Sequence, residues 1–192
     1  MKRYEEIYRE ILYQAVEMKK GNLTQSYLAK SLKLSLSVVN LALEPLKRMN
    51  AVRVNQRSFD VIDTKKILYY WASLRNIDKD ILYRTRADKS VTEIESQMPS
   101  DVSYGAYSAY KFRFKDVPAD YSEVYVYSNN IDEIKKRFPQ NEKSPNIFVL
   151  RKDANFKMTM GMLFVDLWNL REWYAADFLK DVEAKWSTGT AY

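Results

Sequence analysis

Cysteine and histidine are both absent from the 192-residue sequence. Without cysteine the chain forms no disulfide bond and has no thiol for catalysis, and without either residue the usual zinc sites cannot form. A Ser-His-Asp triad and a histidine proton relay are excluded for the same reason. Any metal ion would depend on carboxylates alone, and we expect no metal site and no cofactor.

Long apolar segments are missing as well. No apolar run approaches the roughly 20 residues that cross a bilayer as a helix. The N-terminal residues also lack the apolar core of a secretory signal peptide. These absences predict a cytoplasmic protein that has no membrane partner.

Basic charge is concentrated in the first half of the chain. Residues 1–90 contain 18 Lys and Arg against 10 Asp and Glu, a net charge of +8, whereas residues 91–192 contain 13 against 15. The 46% apolar and 14% aromatic content is enough for a buried core. The charge difference predicts two modules, of which the first binds a polyanion.

Two helical patterns come first. Apolar residues recur at helical spacing over 3–19, and the glycine-asparagine pair at 21–22 is expected to end this helix. Thr24 is a suitable N-cap for a short second helix. That second helix is expected to bury Tyr27, Leu28 and Leu32.

A third helix is predicted after a tight turn at 33–35, with Ser35 or Ser37 as its N-cap. Pro45 lies within this helix, where a proline removes a backbone hydrogen bond and costs roughly 3 kcal/mol. Either the helix kinks at Pro45 or its last turn is a separate element. Its expected buried face consists of Val38, Val39, Ala42, Leu43, Leu46, Met49 and Val52.

The period then changes to two, as in β-strands. Val52, Val54, Phe59 and Val61 alternate with polar residues, and residues 55–57 form a turn between them. Three helices followed by a small hairpin are typical of a winged helix-turn-helix. A fourth helix over 64–78 would bury Ile67, Leu68, Trp71 and Leu74, and an amphipathic helix with a linker would follow, anchored by Ile81, Leu82 and Tyr83.

Helices and strands alternate in the second half. Helices are predicted over 91–98, 103–112, 129–138 and 171–186, strands over 123–128 and 146–151, and a frayed tail over 187–192. Asn129 or Asn130 would cap the third of these helices, while the apolar segment 161–168 fits either element. The predicted fold is α+β. A winged helix-turn-helix domain with a connecting helix occupies 1–88, and a small α/β domain occupies 89–192.

The third helix carries the residues expected to read DNA. In a helix-turn-helix the second helix of the pair lies in the major groove, and its first residues face the base edges. Asparagine can bind adenine, and leucine can contact a thymine methyl group. The expected base-reading residues are Ser35, Ser37, Asn40 and Leu41. Phosphate contacts are expected from Lys30, Lys33, Lys47, Arg48, Arg53 and Arg57, with Gln56 reaching into the minor groove.

Catalytic residues are scarce in the second half. Residues 103–128 resemble the layout of nucleotidyltransferases, in which glycine and serine precede a strand that bears two metal-binding carboxylates. Tyr125 and Tyr127 stand where those carboxylates would be, and Glu123 is the only nearby acid. Two-metal chemistry fails without the pair, so we expect no enzymatic activity. Asp166 is expected to be a helix cap or a hydrogen-bonded buried acid that holds Trp168 or Asn169.

The order of several segments resembles a known family. The segments are "VVNLALEPLKRMNAV", "KKILYYWASLRNI", "VSYGAYSAYKF", "ADYSEVYVYS", "IKKRF", "PNIFVL" and "FVDLWNLREWYAADFL". They resemble the AbiEi-type antitoxins of type IV toxin–antitoxin systems and are more similar to the archaeal transcription-regulator relatives of these antitoxins. The resemblance implies a winged helix, an antitoxin-like α/β domain, and repression through inverted repeats in the protein's own promoter.

The resemblance also implies partners. One is a double-stranded operator, on which paired half-sites are compatible with a homodimer. Another is a nucleotidyltransferase toxin, which the second domain would counteract without a stable complex. On this resemblance the DNA-contact role falls on Ser35, Ser37, Asn40, Lys47, Arg48 and Arg57.

A protein-interaction adaptor is the alternative function. In this interpretation the winged helix docks on another protein and does not bind DNA, and the tyrosine-rich second domain provides a further interface. The chain contains 15 tyrosines, and aromatic faces with few charges are common at protein interfaces.

Overall fold

The structure is a computed structural model that describes residues 2–188 and has an α+β fold. The helices are α1 (Arg3–Leu12), α2 (Gln25–Leu32), α3 (Leu36–Arg48), α4 (Thr64–Leu74), α5 (Val91–Gln97), α6 (Ala106–Phe114), α7 (Ile131–Arg137), α8 (Met160–Trp168) and α9 (Ala175–Thr188). The strands are β1 (Asn22–Leu23), β2 (Val52–Val54), β3 (Phe59–Val61), β4 (Ile81–Thr85), β5 (Ser103–Tyr104), β6 (Val124–Tyr127) and β7 (Ile147–Leu150). The expected frayed tail falls partly on 189–192, outside the described residues.

The first helices begin where their capping residues predict. The Thr24 hydroxyl accepts a hydrogen bond from the backbone N–H of Tyr27 at 3.0 Å, and Ser35 accepts one from Val38 at 3.4 Å. The expected burial of Tyr27 is wrong, since this side chain is 40% exposed. Its hydroxyl donates to Glu10 at 2.8 Å, and this polar partner holds the ring at the rim of the core.

Helix α3 continues through Pro45 to Arg48, so the expectation of a separate last turn is wrong. Proline leaves the carbonyl of the residue four positions earlier, Leu41, without its helical partner. One residue further along, the Tyr8 hydroxyl donates to the carbonyl of Ala42 at 3.0 Å and fastens this part of α3 to α1.

The predicted hairpin of β2 and β3 is confirmed, and a third strand joins it. The sheet has the order β1-β3-β2 with antiparallel pairing, in which Leu23 lies opposite Phe59. Sequence analysis assigned residues 21–22 to the end of a helix and missed β1. Two residues are too few to show a period of two, and their pairing depends on a strand nearly 40 residues away.

The prediction of an amphipathic helix with a linker over 76–101, anchored by Ile81, Leu82 and Tyr83, is wrong at its anchor, which lies in a strand. Residues 77–80 form a single 3₁₀ turn, and β4 follows as an edge strand that pairs with β7 in antiparallel orientation. The second sheet has the order β4-β7-β6-β5, and β6 and β7 are parallel and connected through α7. The division of the chain at residue 88 stays a prediction, although β4 precedes it and belongs to the second sheet.

Helix α8 is the centre of the main core. The sequence left residues 161–168 open between helix and strand, and the structure makes them helical and buries 160–167. The helix packs against α4, α6 and α9, so apolar residues of both halves belong to one continuous cluster. A smaller cluster fills the space between the second sheet, α5 and α7, with Ile94 and Ile134 at its centre.

Arg75 lies at the centre of a buried ionic cluster. Its side chain pairs with Asp80, with Glu5 of α1 at 3.4 Å and with Asp166 of α8 at 3.8 Å. The hydroxyl of Tyr127 donates to both Asp166 carboxylate oxygens, at 2.7 and 2.8 Å. The prediction of a hydrogen-bonded buried acid at 166 is confirmed, but its side-chain partners are Tyr127 and Arg75 rather than the neighbouring Trp168 or Asn169.

A second buried arginine also joins the two halves. The guanidinium of Arg9 in α1 binds Asp153 through two hydrogen bonds of 2.8 and 2.9 Å and donates to the carbonyl of Asn155. The Asn155 side chain in turn donates to the carbonyl of Leu32, at the end of α2. These contacts fix the position of the first three helices relative to the second half.

Replacing Arg75 should strongly destabilise the fold. The substitution Arg75→Ala leaves the buried carboxylates of Glu5 and Asp166 without their cation, which costs about 3–5 kcal/mol when a buried pair is broken. Urea unfolding measures this change. The control is Arg84→Ala, since Arg84 is exposed and has no ion pair among residues 2–188. Equal free energies of unfolding for the two variants would refute the role of the cluster.

The pH dependence of stability should report on Asp166. Burial raises its pKa from 3.8 to about 6, although Arg75 and the Tyr127 hydroxyl oppose this rise. The native state therefore keeps a proton that the unfolded state has lost between about pH 4 and pH 6. The stabilisation of the native state by its greater proton affinity at Asp166 is fully present below pH 4 and is lost as the pH rises through 6.

The variant Asp166→Asn removes this titration. The wild type should therefore lose free energy of unfolding relative to the variant as the pH rises from 4 to 6.5. Urea unfolding at a series of pH values measures this difference. Parallel pH profiles for the two proteins would show that Asp166 has an ordinary pKa.

Candidate nucleic-acid interface

The outer face of α3 is exposed and its orientation is fixed. Val39, Ala42, Leu43 and Leu46 are buried on the opposite face, where the helix packs on α1 and α2. The outer face is the row of residues three or four positions apart, Ser37, Asn40, Leu41 and Glu44, all of which are exposed. Sequence analysis overlooked Glu44, the one acid in this row.

The polar residues on this face differ in their freedom to bind a ligand. Ser35 caps the helix, and its hydroxyl oxygen lies 2.9 Å from that of Ser37. The Asn40 side chain makes no hydrogen bond to any residue within 2–188. Asn40 therefore presents two donors and an acceptor to solvent, whereas Ser35 is committed to the fold.

All eleven residues predicted to contact DNA are exposed. Ser37, Asn40 and Leu41 share one face of α3, and Ser35 lies at its N-terminus. The others surround that face: Lys30 on α2, Lys33 in the turn before α3, Lys47 and Arg48 in the last turn of α3, Arg53 on β2, and Gln56 and Arg57 in the hairpin turn.

The six cations of this set form no close ion pair, although Arg53 lies opposite Asp60 in the sheet and helps to lower the pKa of Asp60. None of Lys30, Lys33, Lys47, Arg48, Arg53 and Arg57 lies within 4 Å of a carboxylate in residues 2–188. In the second half, by contrast, Lys111 pairs with Glu95 at 2.6 Å and Lys185 pairs with Asp181 at 2.6 Å. The charge around α3 is therefore available to an external anion.

The hairpin turn is held by one carboxylate. Asp60 accepts hydrogen bonds from the side chains of Asn22 at 2.6 Å and Asn55 at 2.8 Å, and these bonds hold the pKa of Asp60 below its ordinary value. The backbone N–H of Asn55 also donates to the carbonyl of Ser58 at 2.8 Å. This network, which sequence analysis missed, positions Gln56 and Arg57 at the tip of the turn.

An apolar groove borders the outer face of α3. It has a volume of about 440 Å³ and lies between α1, α3 and α4, where Tyr4, Leu41, Pro45, Tyr70 and Leu74 line it. The predicted burial of Leu74 is wrong, since this side chain is exposed at the rim of the groove. The feature of the sequence that could have predicted this groove is Leu41, an apolar residue in an otherwise polar row.

The segment 103–128, which resembles nucleotidyltransferases in sequence, places buried tyrosines where those enzymes have carboxylates. Tyr125 and Tyr127 are buried, and the Tyr125 hydroxyl donates to Glu172 at 2.9 Å. Glu123 is half-buried, and burial raises its pKa while the hydrogen bond from Ser122 opposes the rise. Among residues 2–188, no three or more Asp and Glu side chains form a group that could hold a metal ion.

Within the described part of the chain, no helix combines the length and the apolar character that a membrane crossing requires.

Removing the Asp60 carboxylate should loosen the hairpin turn. In Asp60→Ala the side chains of Asn22 and Asn55 lose their shared acceptor, so the Asn55 amide should exchange its hydrogen several-fold faster. Hydrogen–deuterium exchange followed by NMR measures this rate. Asp88→Ala is the control, because Asp88 is an exposed acid that pairs with Lys143 in the second half. The same acceleration in the control would contradict the local role of Asp60.

Comparisons with models of protein families, with curated proteins and with solved structures each found no match for this chain.

Proposed function

We propose that this chain is a sequence-specific DNA-binding regulator of transcription. In this proposal α2 and α3 form a helix-turn-helix, and the hairpin of β2 and β3 is its wing. The observation that carries the proposal is the set of six exposed cations around the outer face of α3, none of which lies within 4 Å of a carboxylate of residues 2–188. A surface of this kind attracts the phosphate backbone of a nucleic acid.

The proposed docking follows from the shape of this surface. Helix α3 spans about 20 Å at 1.5 Å per residue and enters the major groove with its outer face. Lys30 and Lys33 contact phosphates on one side, while Lys47 and Arg48 contact them at the other end of the helix. The wing places Arg57 and Gln56 on the adjacent backbone or in the minor groove. Phosphate contacts set the register, and the side chains of Asn40 and Leu41 select the sequence.

The biological role that we propose comes from the family resemblance. The protein would repress its own promoter at inverted repeats, as a homodimer on DNA, and would be the antitoxin-like component of a type IV toxin–antitoxin system in the cytoplasm. The second domain would counteract a nucleotidyltransferase toxin functionally, without a stable complex. We propose no enzymatic activity, since Tyr125 and Tyr127 are hydrophobic-core residues at the positions where a metal-dependent transferase needs carboxylates.

An adaptor function is the second candidate, and the apolar groove beside α3 favours it. Tyr4, Leu41 and Leu74 line that groove, and Trp173 in the second half is 80% exposed. Exposed aromatic and aliphatic side chains of this kind are common at protein interfaces. Binding through them would survive high salt, whereas binding to DNA would not.

Neutralising two cations should reduce both the affinity for DNA and its salt dependence. The double substitution Lys47→Ala with Arg57→Ala removes two proposed phosphate contacts. The slope of log K against log salt concentration should become shallower by about 1.8, because each phosphate contact contributes about 0.9. Fluorescence anisotropy measures this slope with a labelled duplex of about 30 base pairs, which is long enough for a dimer site.

The matched control is Lys136→Ala with Lys143→Ala, which removes the same formal charge from exposed positions in the second half. This control should retain the slope of the wild type. Equal slopes for all three proteins would reject the proposed interface. Absence of any salt-dependent binding by the wild type would favour the adaptor.

A further inference from the structure

We propose that the outer face of α3 recognises A·T base pairs through two neighbouring side chains, with Leu41 on the thymine methyl group and Asn40 on adenine. This inference rests on the proposed function and deepens it, because it names the kind of sequence that the site selects. It commits the exposed apolar part of α3 to a DNA base rather than to a protein partner.

The first observation is the position of Leu41. Its side chain is 74% exposed on a helix face that otherwise carries Ser37, Asn40 and Glu44. A leucine cannot form a hydrogen bond to a base edge, so it can only contribute an apolar contact. In the major groove, thymine is the base that presents a methyl group. A groove-facing leucine is therefore complementary to thymine among the four bases.

The second observation is the free amide of Asn40. Its side chain has no hydrogen-bond partner within residues 2–188 and is exposed on the same face. Adenine presents an acceptor at N7 and a donor at N6, which an asparagine amide matches in a bidentate way. Adenine is also the partner of thymine. The two adjacent residues Asn40 and Leu41 are therefore complementary to the two bases of the same kind of pair.

The third observation concerns guanine, which is commonly read by Arg or Lys through its O6 and N7 acceptors. Neither residue lies directly beside Asn40 and Leu41, because Glu44 occupies the following position of the outer row and Arg48 lies a full turn beyond it, at the end of α3. A carboxylate is unfavourable opposite the two acceptors of guanine, so Glu44 disfavours guanine at the position next to the proposed A·T contact, although it suits the N4 donor of cytosine. The cations lie instead at the two ends of the helix, at Lys33 and Lys47, where they suit phosphates.

The surrounding charge decides between DNA and a protein partner for Leu41. An apolar protein surface would have to bring acids to neutralise Lys33, Lys47 and Arg48, none of which has a carboxylate within 4 Å among residues 2–188. A DNA duplex supplies phosphates on both sides of the groove and the methyl group between them. One ligand therefore satisfies both the cations and the leucine.

Replacing thymine with deoxyuridine tests this inference, since it removes only the methyl group. Duplexes are first selected by the full chain from a randomised pool, and the best duplex is then made with deoxyuridine at each thymine in turn. Each half-site of the selected duplexes should contain an A·T pair. One substitution in each half-site should weaken binding by the wild type about fourfold, which corresponds to about 0.8 kcal/mol for one buried methyl group.

The variant Leu41→Ala should bind the thymine duplex about as weakly as the wild type binds a duplex with deoxyuridine at the sensitive position of both half-sites, because a homodimer contributes two copies of Leu41. This variant should not respond to the substitution. Leu36→Ala is the matched control, because Leu36 is the other exposed leucine of α3 and is 50% exposed. This control should keep the response of the wild type. The variant Asn40→Ala should lose the preference for adenine while retaining the response to the methyl group.

The outcomes separate this inference from the proposed function. Salt-dependent binding that ignores both deoxyuridine and Leu41→Ala would overturn the inference and leave the DNA-binding proposal intact. An equal response to deoxyuridine in the wild type and in Leu41→Ala would place the methyl contact elsewhere and overturn the role of Leu41. Absence of salt-dependent binding would remove the proposed function and this inference with it.

Discussion

The buried cluster around Arg75 is the interaction on which the arrangement of the two halves depends. One guanidinium serves carboxylates from α1, from the turn after α4 and from α8, and the Tyr127 hydroxyl of β6 completes the cluster. Charges that are buried in this way are tolerated only when each has a partner. The cluster therefore requires α1, α4 and α8 to meet in one geometry, and Arg9 with Asp153 adds a second fixed point.

The cations around α3 form no close ion pair. In the second half, several bases pair with acids of the same chain, as Arg137 does with Glu133, whereas others such as Lys115 and Lys180 have no ion pair among residues 2–188. None of the six cations around α3 lies within 4 Å of a carboxylate of residues 2–188, and like charges that lie close together repel one another. An external polyanion would neutralise this charge, which supports the DNA-binding proposal.

Local signals predicted much of the fold. The cap at Thr24, the hairpin turn at 55–57 and the strands β6 and β7 were predicted correctly, because each depends on neighbouring residues. For the third helix the sequence left Ser35 and Ser37 as alternative caps, and the structure has Ser35 in this role. The errors arose where a distant partner decides the conformation. Residues 81–85 become a strand because β7 pairs with them, and Asn22 becomes part of β1 because Phe59 and its neighbours lie alongside.

The residues of the candidate site could be predicted from the sequence, but the contacts that hold them in place could not. All eleven residues predicted to contact DNA are exposed, and for those on α3 this follows from the apolar period that defines its buried face. It did not reveal the bond network of Asp60, the groove beside Leu41 or the partners of Asp166. Each of these joins residues that lie far apart along the chain, and a single sequence without its pairing pattern carries no signal for such contacts.

The contact between Arg9 and Asp153 limits how the chain can be divided. A fragment that ends near residue 88 would keep α1 and α4 but would expose the Arg9 guanidinium, whose carboxylate partner Asp153 belongs to the second half. It would also remove Asp166 from the cluster around Arg75, which would keep only Glu5 and Asp80. It would also lose the apolar cover that α8 gives to Trp71. The first 88 residues are thus a poor donor module for chimeric proteins, and grafting of this surface onto another protein would have to include α8 and the loop that contains Asp153.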